Sequence, residues 1–198
     1  IIETASESKR GYLKKLVWGG NGLKPSPDNV QSPERQKEKV YLGIDVGAAS
    51  TNIVILDNDK TLLRKRYLMT EGEPIESVKK GLLDIATGIE DLVEVQGVGV
   101  TGSGRYFVGD FVGADVVINE ITAQARATIE IDDTVDTIFE IGGQDSKFIR
   151  LKNGVVVDFE MNKVCAAGTG SFLQEQAARL GIRIDDFSGL AFNSKKPA

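Results

Sequence analysis

Glycine is the residue that most constrains what this chain can fold into. The sequence has 22 glycines among 198 residues, and they gather where apolar runs end. The clusters lie at Gly43 and Gly47, between residues 97 and 104, at Gly142 and Gly143, and at Gly168 and Gly170. Glycine at the end of a strand marks a tight turn or a close approach of the backbone. Several such turns in one chain predict a ligand that is held by backbone groups.

The order of the predicted elements indicates an α/β fold. From Val40, three short strands joined by tight turns predict an antiparallel meander, and a helix follows with Pro74 in its first turn. Strand, short helix, strand and helix then alternate. A second pass adds a strand, a hairpin that turns at Asn153–Gly154 and a helix that begins near Gly170. A β-β-β-α-β-α-β-α lobe followed by the start of an equivalent lobe predicts an internal duplication.

These patterns predict three parts along the chain. Residues 1–39 are rich in proline and polar side chains, which is typical of a linker or flexible tail. Residues 40–134 form the first predicted lobe. Residues 135–198 form a second lobe, which we expect to be incomplete.

The first candidate phosphate loop covers residues 43–51. Asp45 lies at the strand end and suits a magnesium ion. The small residues after it suit an anion, because their backbone N–H groups are accessible. They are Gly47, Ala48, Ala49, Ser50 and Thr51. An ordinary hairpin with an incidental aspartate is the alternative.

The second candidate loop, residues 140–147, repeats this pattern. An apolar strand leads into Gly142 and Gly143, and Asp145 supplies a carboxylate. Two such loops in equivalent places favour a nucleotide clamped between two facing sheets. Neither is a Walker A loop or a dinucleotide fingerprint. The glycine-rich run at residues 97–105 is either a packing turn or a further phosphate contact.

Composition excludes several classes of function. The chain has no histidine and one cysteine, Cys165, so histidine-based catalysis and an internal disulfide are ruled out. Its net charge of -5 gives no signal for nucleic acid. No apolar run approaches the roughly 20 residues of a membrane span, and no signal peptide is evident. We therefore expect a cytoplasmic protein without membrane or nucleic-acid partners.

Four stretches resemble a known family. YLGIDVGAAST, GVGVTGSGR, FEIGGQDSK and NKVCAAGTGSF are similar to the activators of 2-hydroxyacyl-CoA dehydratases and the ATPase subunits of benzoyl-CoA reductase. These belong to the actin-like ATPase superfamily, which has a ribonuclease H-like fold. The resemblance implies a homodimer that hydrolyses ATP and passes a low-potential electron to a partner dehydratase or reductase. The electron comes from a [4Fe-4S] cluster shared between the subunits.

The resemblance also implies roles for particular residues. Cys165 would be one cluster ligand, and Asp45 and Asp145 would handle Mg-ATP. Glu140 and Gln144 would place water or metal, and Gly168 and Gly170 would line the phosphate side. For Cys165 the alternative is a small buried hydrophobic residue. The roles of Arg105, Lys147 and Lys163 stay open between phosphate contact and solvated surface charge.

The chain departs from the family pattern in its cysteines. A shared cluster needs four thiolates, and two copies of this sequence supply two. We therefore expect a fragment of a larger activator, with weak or absent ATP hydrolysis and no stable cluster. Two alternatives remain: a small-molecule kinase of the same superfamily, and a non-catalytic nucleotide-sensing module.

Overall fold

A computed structural model describes residues 36–165 and 167–195 of the chain. These residues divide into two compact units, the first ending at Ala123 and the second beginning at Gln124. The predicted tail lies outside the described residues as far as residue 35. The lobe boundaries expected from the sequence, 40–134 and 135–198, stay a prediction.

The first unit contains a five-stranded sheet in the order β3-β2-β1-β4-β5. The strands are β1 (Glu38–Val46), β2 (Ser50–Leu56), β3 (Leu62–Met69), β4 (Val93–Thr101) and β5 (Val116–Val117). The helices are α1 (Pro74–Ala86), α2 (Arg105–Val112) and α3 (Glu120–Ile131), the last extending past Ala123. The meander predicted for β1 to β3 is confirmed, because both of its pairings are antiparallel.

β1 begins at Glu38, two residues before the predicted start. Its first residues pair with Val93 and Glu94 of β4, which runs parallel to it. Both Glu38 and Lys39 have exposed side chains, so no apolar pattern marks this end of the strand. Backbone pairing alone extends the strand here.

Alternation along β1 separates the core from the candidate site. Val40, Leu42, Ile44 and Val46 are buried, and they pack with β2, β4, α1 and α2 in one hydrophobic core. Successive side chains of a strand point to opposite faces. Asp45 therefore lies on the face opposite these four core residues, where the strand ends.

The second unit contains a three-stranded antiparallel sheet, β6 (Thr137–Ile141), β7 (Ser146–Lys152) and β8 (Val155–Met161), in that order. Two helices follow, α4 (Gly170–Arg179) and α5 (Ile184–Phe192). The predicted hairpin turn is confirmed: Asn153 and Gly154 both have positive φ, at 51° and 73°. That combination is typical of a type I′ turn, which matches the twist of the flanking strands.

The predicted element order is thus confirmed across the described residues. None of the helices in the described ranges is both long enough and apolar enough to cross a membrane.

Candidate functional site

The first glycine turn, Gly47–Ser50, joins β1 to β2. The N–H of Gly47 donates to the carbonyl of Ser50 at 2.8 Å. The hydroxyl of Thr70 donates to the carbonyl of Gly47 at 2.8 Å, and the N–H of Thr70 donates to the carbonyl of Ala49 at 2.9 Å. The backbone hydrogen bonds of the described residues do not use the N–H groups of Ala48 and Ala49. These two N–H groups are the donors that an anion would meet.

Two buried threonines hold this turn in place. Thr51 and Thr70 are 0% and 3% exposed, and their hydroxyl oxygens lie 3.0 Å apart. Since the Thr70 hydroxyl donates to Gly47, the Thr51 hydroxyl must donate to Thr70. Thr51 was predicted to contact the cofactor. Its side chain points inward and supports the turn, so a cofactor contact through its backbone stays a prediction, while Ala48, Ala49 and Ser50 are at least partly accessible.

The run at residues 97–105 packs directly against the first glycine turn. Gly102 has φ +90°, and a Cβ there would lie 2.4 Å from the carbonyl oxygen of Val46 and 2.5 Å from the carboxylate of Asp45. The N–H of Gly104 donates to the same Val46 carbonyl at 3.0 Å. The structure thus supports the packing role for this run, and it places the run beside Asp45.

Arg105 is anchored at the start of α2. Its guanidinium donates to the Gly102 carbonyl at 3.0 Å and to the carboxylate of Glu120 at 3.1 Å. Both side chains are partly buried. Arg105 is therefore a fixed, paired cation, and it braces the turn that carries Gly102.

The second glycine turn, Gly142–Asp145, joins β6 to β7 with the same geometry as the first. The N–H of Gly142 donates to the carbonyl of Asp145 at 2.8 Å, as Gly47 does to Ser50. Ile141 pairs with Ser146, as Val46 pairs with Thr51. The equivalent turns agree with the predicted duplication.

The equivalence of the two turns shows which carboxylates correspond to each other, and it does not pair Asp45 with Asp145. Asp45 precedes its turn glycine by two residues, and so does Glu140. Asp145 stands where the first turn has Ser50. Glu140 is therefore the structural counterpart of Asp45, and Asp145 is an additional carboxylate on the second turn.

Glu140 forms an ion pair with Lys147. The ammonium of Lys147 lies 2.7 Å from a carboxylate oxygen of Glu140, and the side chains are 8% and 21% exposed. The interpretation of Lys147 as a solvated surface charge is wrong, because its side chain is buried and its charge is paired. Lys163, in contrast, is exposed.

The start of α4 is hydrogen-bonded to the second glycine turn. The N–H groups of Gly170 and Ser171 donate to the carbonyls of Gly142 and Gly143, both at 2.9 Å. The buried hydroxyl of Thr169 donates to Gly143 at 2.8 Å. The N–H of Gly170 is thus already engaged with the turn. Gly168 has φ +70° and open space where a Cβ would lie.

Asn162 links the second glycine turn to the residue before Cys165. Its side-chain oxygen accepts from the N–H of Ser146 at 2.9 Å. Its side-chain nitrogen donates to the carbonyls of Gln144 at 3.2 Å and Val164 at 2.7 Å. The Val164 carbonyl also accepts from the N–H of Ala167 at 3.2 Å, which forms a turn around Cys165. Cys165 itself is a free, exposed thiol.

Sequence reasoning missed Asn162 and Thr70. Asn162 is the first residue of the NKVCAAGTGSF motif, so its place in that motif could have identified it as a site residue. Thr70 follows β3, far along the chain from the turn that it holds, and no motif marks it. Its role follows from the antiparallel pairing of β2 and β3.

Two buried hydroxyls beside the turns lack partners. Thr101, which lies opposite Asp45 in the β1–β4 register, and Ser146, at the end of the second glycine turn, have buried side-chain oxygens without hydrogen bonds among the described residues. Within those residues, no group of three or more acidic or cysteine side chains is placed to hold a metal ion.

Comparison with known proteins identifies the fold and the family. The chain is 34% identical over 159 residues to the (R)-2-hydroxyglutaryl-CoA dehydratase activating ATPase of Acidaminococcus fermentans, covering 78% of this chain and 59% of the relative. It is 37% identical over 153 residues to the activator of lactoyl-CoA dehydratase of Anaerotignum propionicum, covering 75% and 57%.

A solved structure matches as well. The activator of the 2-hydroxyisocaproyl-CoA dehydratase from Clostridium difficile, with bound ADPNP, aligns with a TM-score of 0.72 at 30% identity, over 80% of this chain and 59% of that one. The predicted actin-like ATPase fold is confirmed by this match. The chain spans less than two thirds of the length of each of these relatives. The model of the BadF/BadG/BcrA/BcrD ATPase family matches residues 42–198, and the chain therefore belongs to that family.

Proposed function

We propose that this chain is the nucleotide-binding part of an ATP-dependent activator that delivers a low-potential electron to a 2-hydroxyacyl-CoA dehydratase or a related reductase. The observation that carries the proposal is the hydrogen bonding that links the second glycine turn to both sides of Cys165, through the side chain of Asn162 on one side and the hydroxyl of Thr169 on the other. A nucleotide-binding turn joined to a thiol in one unit is what such an activator requires. Family membership and the names of the relatives support the same function.

The two glycine turns are the proposed phosphate-binding elements. Ala48 and Ala49 offer unused N–H groups, and the turn that contains them is held rigidly by Thr51 and Thr70. A preorganised donor binds an anion at a lower entropic cost than a mobile one. In the second turn, Gly142 and Gly143 shape the backbone beside Asp145. The related activator with bound ADPNP supports adenine nucleotide as the ligand.

Acidic residues next to the turns are the proposed magnesium and water ligands. Asp45 and Asp145 carry the carboxylates that suit Mg²⁺, an ion with a preference for oxygen ligands. Glu140 is held by Lys147, which fixes the direction of its carboxylate beside Gly142. Gln144 lies on the second turn, exposed, with its backbone carbonyl bonded to Asn162. We propose that Glu140 and Gln144 orient water or metal.

Cys165 is the proposed ligand of an iron–sulfur cluster. The thiol is exposed and unbonded to another cysteine, so it fits the role of a single thiolate ligand. A [4Fe-4S] cluster usually takes four thiolates, so the others would come from a second copy of the chain and from beyond these 198 residues. Such a cluster supplies the low-potential electron. We propose a homodimer that acts in the cytoplasm on a partner dehydratase or reductase.

The relatives do not favour the kinase alternative. Those with an assigned role are activators of dehydratases or a subunit of benzoyl-CoA reductase. We expect these 198 residues by themselves to hydrolyse ATP weakly, because the relatives are longer.

Two measurements test the proposal. We expect the chain to bind ADPNP in the presence of Mg²⁺, as measured by calorimetry. We expect the affinity to fall at least about tenfold in Asp45→Asn, since a magnesium ligand is lost. The matched control is Asp59→Asn, a change in the exposed turn between β2 and β3. Equal affinity in wild type and Asp45→Asn would refute the role of Asp45.

The second measurement is anaerobic iron–sulfur reconstitution of the protein extended beyond Ala198, with Cys165 intact or changed to Ala. A four-iron absorption band that is lost in Cys165→Ala supports the electron-donating activator. A band of equal strength in both proteins would exclude Cys165 as a ligand. No band in either protein would favour an actin-like ATPase without an iron–sulfur output.

A further inference from the structure

The side chain of Asn162 lies between the second glycine turn and Cys165. It contacts the turn through Gln144 and Ser146, and it contacts the residue before the cysteine through Val164, at 2.7 Å. The backbone of Asn162 adds a further bond, from its N–H to the carbonyl of Ser146 at 3.1 Å. A single asparagine thus joins the two elements with four hydrogen bonds.

The other side of Cys165 is also attached to the same turn. Thr169 and Ser171 donate their hydroxyls to the carbonyl of Gly143, and Gly170 donates its N–H to Gly142. Both ends of the short segment that carries Cys165 are therefore bonded to residues 142–146. At its start the segment also continues directly from β8, whose last residue, Met161, pairs with Lys147 of β7.

We propose that Asn162 is the positioning residue that makes the placement of the Cys165 thiol depend on whether nucleotide occupies the second glycine turn. This inference rests on the proposed function, because it takes nucleotide phosphate as the ligand of the turn. When phosphate binds, the N–H and C=O groups of Gly142 to Asp145 reorient. Asn162 transmits that change to Val164, and Thr169 transmits it to the start of α4. Coupling between sites requires an element whose contacts differ between the two states, and in this proposal the hydrogen bonds of Asn162 are that element.

The chain offers a direct probe, because Cys165 is its only cysteine. The rate of alkylation by iodoacetamide is measured with and without saturating ADPNP and Mg²⁺, with binding followed separately by calorimetry. In the wild type, ADPNP is expected to change the rate about fivefold or more, the lower end of typical couplings between sites. No iron–sulfur cluster is needed for this measurement.

Asn162→Asp is the informative variant. It keeps an oxygen that accepts from Ser146 and loses the two N–H donations to Gln144 and Val164, at nearly the same size. We expect ADPNP to leave its alkylation rate unchanged within about twofold, since a lost coupling approaches a ratio of one. Asn193→Asp, an exposed change of the same charge at the end of α5, should keep the wild-type response. Asn162→Ala tests the same link without added charge.

The possible outcomes distinguish a failure of the role of Asn162 from a failure of the proposed function. No ADPNP binding by the wild type would overturn both. Binding with an unchanged alkylation rate in the wild type would overturn the inference alone. A wild-type response in Asn162→Asp would also overturn it, since the bond to Val164 would then be dispensable. Loss of the response in Asn162→Asp and Asn162→Ala, with binding retained, would establish Asn162 as the link.

Discussion

Gly102 has no room for a side chain because it lies against the carbonyl of Val46. A Cβ would stand 2.4 Å from that oxygen, and the residue also has φ +90°. We expect Gly102→Ala to lower the free energy of unfolding by about 2 to 4 kcal/mol, through strain in the backbone and displacement of the strand end. ADPNP binding should weaken as well, since Asp45 lies 2.5 Å from the same Cβ position.

Gly99→Ala is the matched control for Gly102→Ala. Gly99 lies in β4, has no atom within 4 Å of its Cβ position and has no positive φ. Alanine there should leave the free energy of unfolding unchanged or raise it by about 0.5 to 1 kcal/mol, because glycine is unfavourable inside a strand. Equal urea midpoints for both variants would contradict the close packing at Gly102.

The Thr51–Thr70 hydroxyl pair gives a second prediction. Thr70→Val removes the donor to Gly47 and leaves the buried Thr51 hydroxyl without an acceptor. We expect the free energy of unfolding to fall by about 1 to 3 kcal/mol. Thr70→Ser keeps the hydroxyl and should retain most of the stability. Urea unfolding of both variants checks this, and a Val variant as stable as the Ser variant would show that the hydroxyl contributes nothing.

We expect substitutions of Glu140 and Lys147 to have non-additive effects on the free energy of unfolding. Lys147→Met leaves the partly buried Glu140 without its partner, and we expect the free energy of unfolding to fall by about 1 to 3 kcal/mol. The loss should be smaller than for a fully buried ion pair because Glu140 is partly exposed to solvent. Adding Glu140→Leu should recover part of that loss, since no unpaired charge remains. A double-mutant cycle measures the coupling. Strictly additive losses would mean that the pair does not interact.

Asp132 predicts a local pH dependence. The hydroxyl and the N–H of Thr134 donate to its carboxylate at 2.6 and 2.9 Å and hold the pKa of Asp132 below its ordinary value. Because the pKa is lowered in the folded state, the hydrogen bonds to the ionised Asp132 carboxylate stabilise the fold above the ordinary pKa. This stabilisation is lost as pH falls through the folded-state pKa. Thr134→Val should raise the pKa of Asp132 toward the ordinary value in an NMR titration. An unchanged titration would exclude the hydroxyl as the main cause.

The order of the elements could be predicted because each one carries a local signal. Pro74 marks the start of α1, and Asn153–Gly154 marks the turn between β7 and β8. The glycine clusters located both candidate turns. These signals need only neighbouring residues, so one sequence suffices to detect them.

The contacts around the turns could not be predicted in the same way. Thr70 reaches Gly47 only because β3 lies beside β2, and Lys147 is buried only because β6 and β7 place it opposite Glu140. The correspondence of Asp45 with Glu140 likewise depends on strand register. Such relationships depend on the pairing and register of strands, which a pattern of residue types along the chain does not specify.

The parallel pairing of β1 with β4 has a consequence for how the first unit folds. β1 to β3 are joined by short turns, whereas the meander and α1 separate Glu38 from its partner Val93 along the chain. Contacts between residues far apart in sequence carry a larger loop-closure cost and form more slowly. We expect pulse-labelling hydrogen exchange during refolding to protect the β1–β2 amides before those of β4. Asp45 would then gain its neighbour Gly102 after the meander has formed, so a chain interrupted before β4 pairs would have its first glycine turn and lack the backbone of residues 102–104 that packs against it.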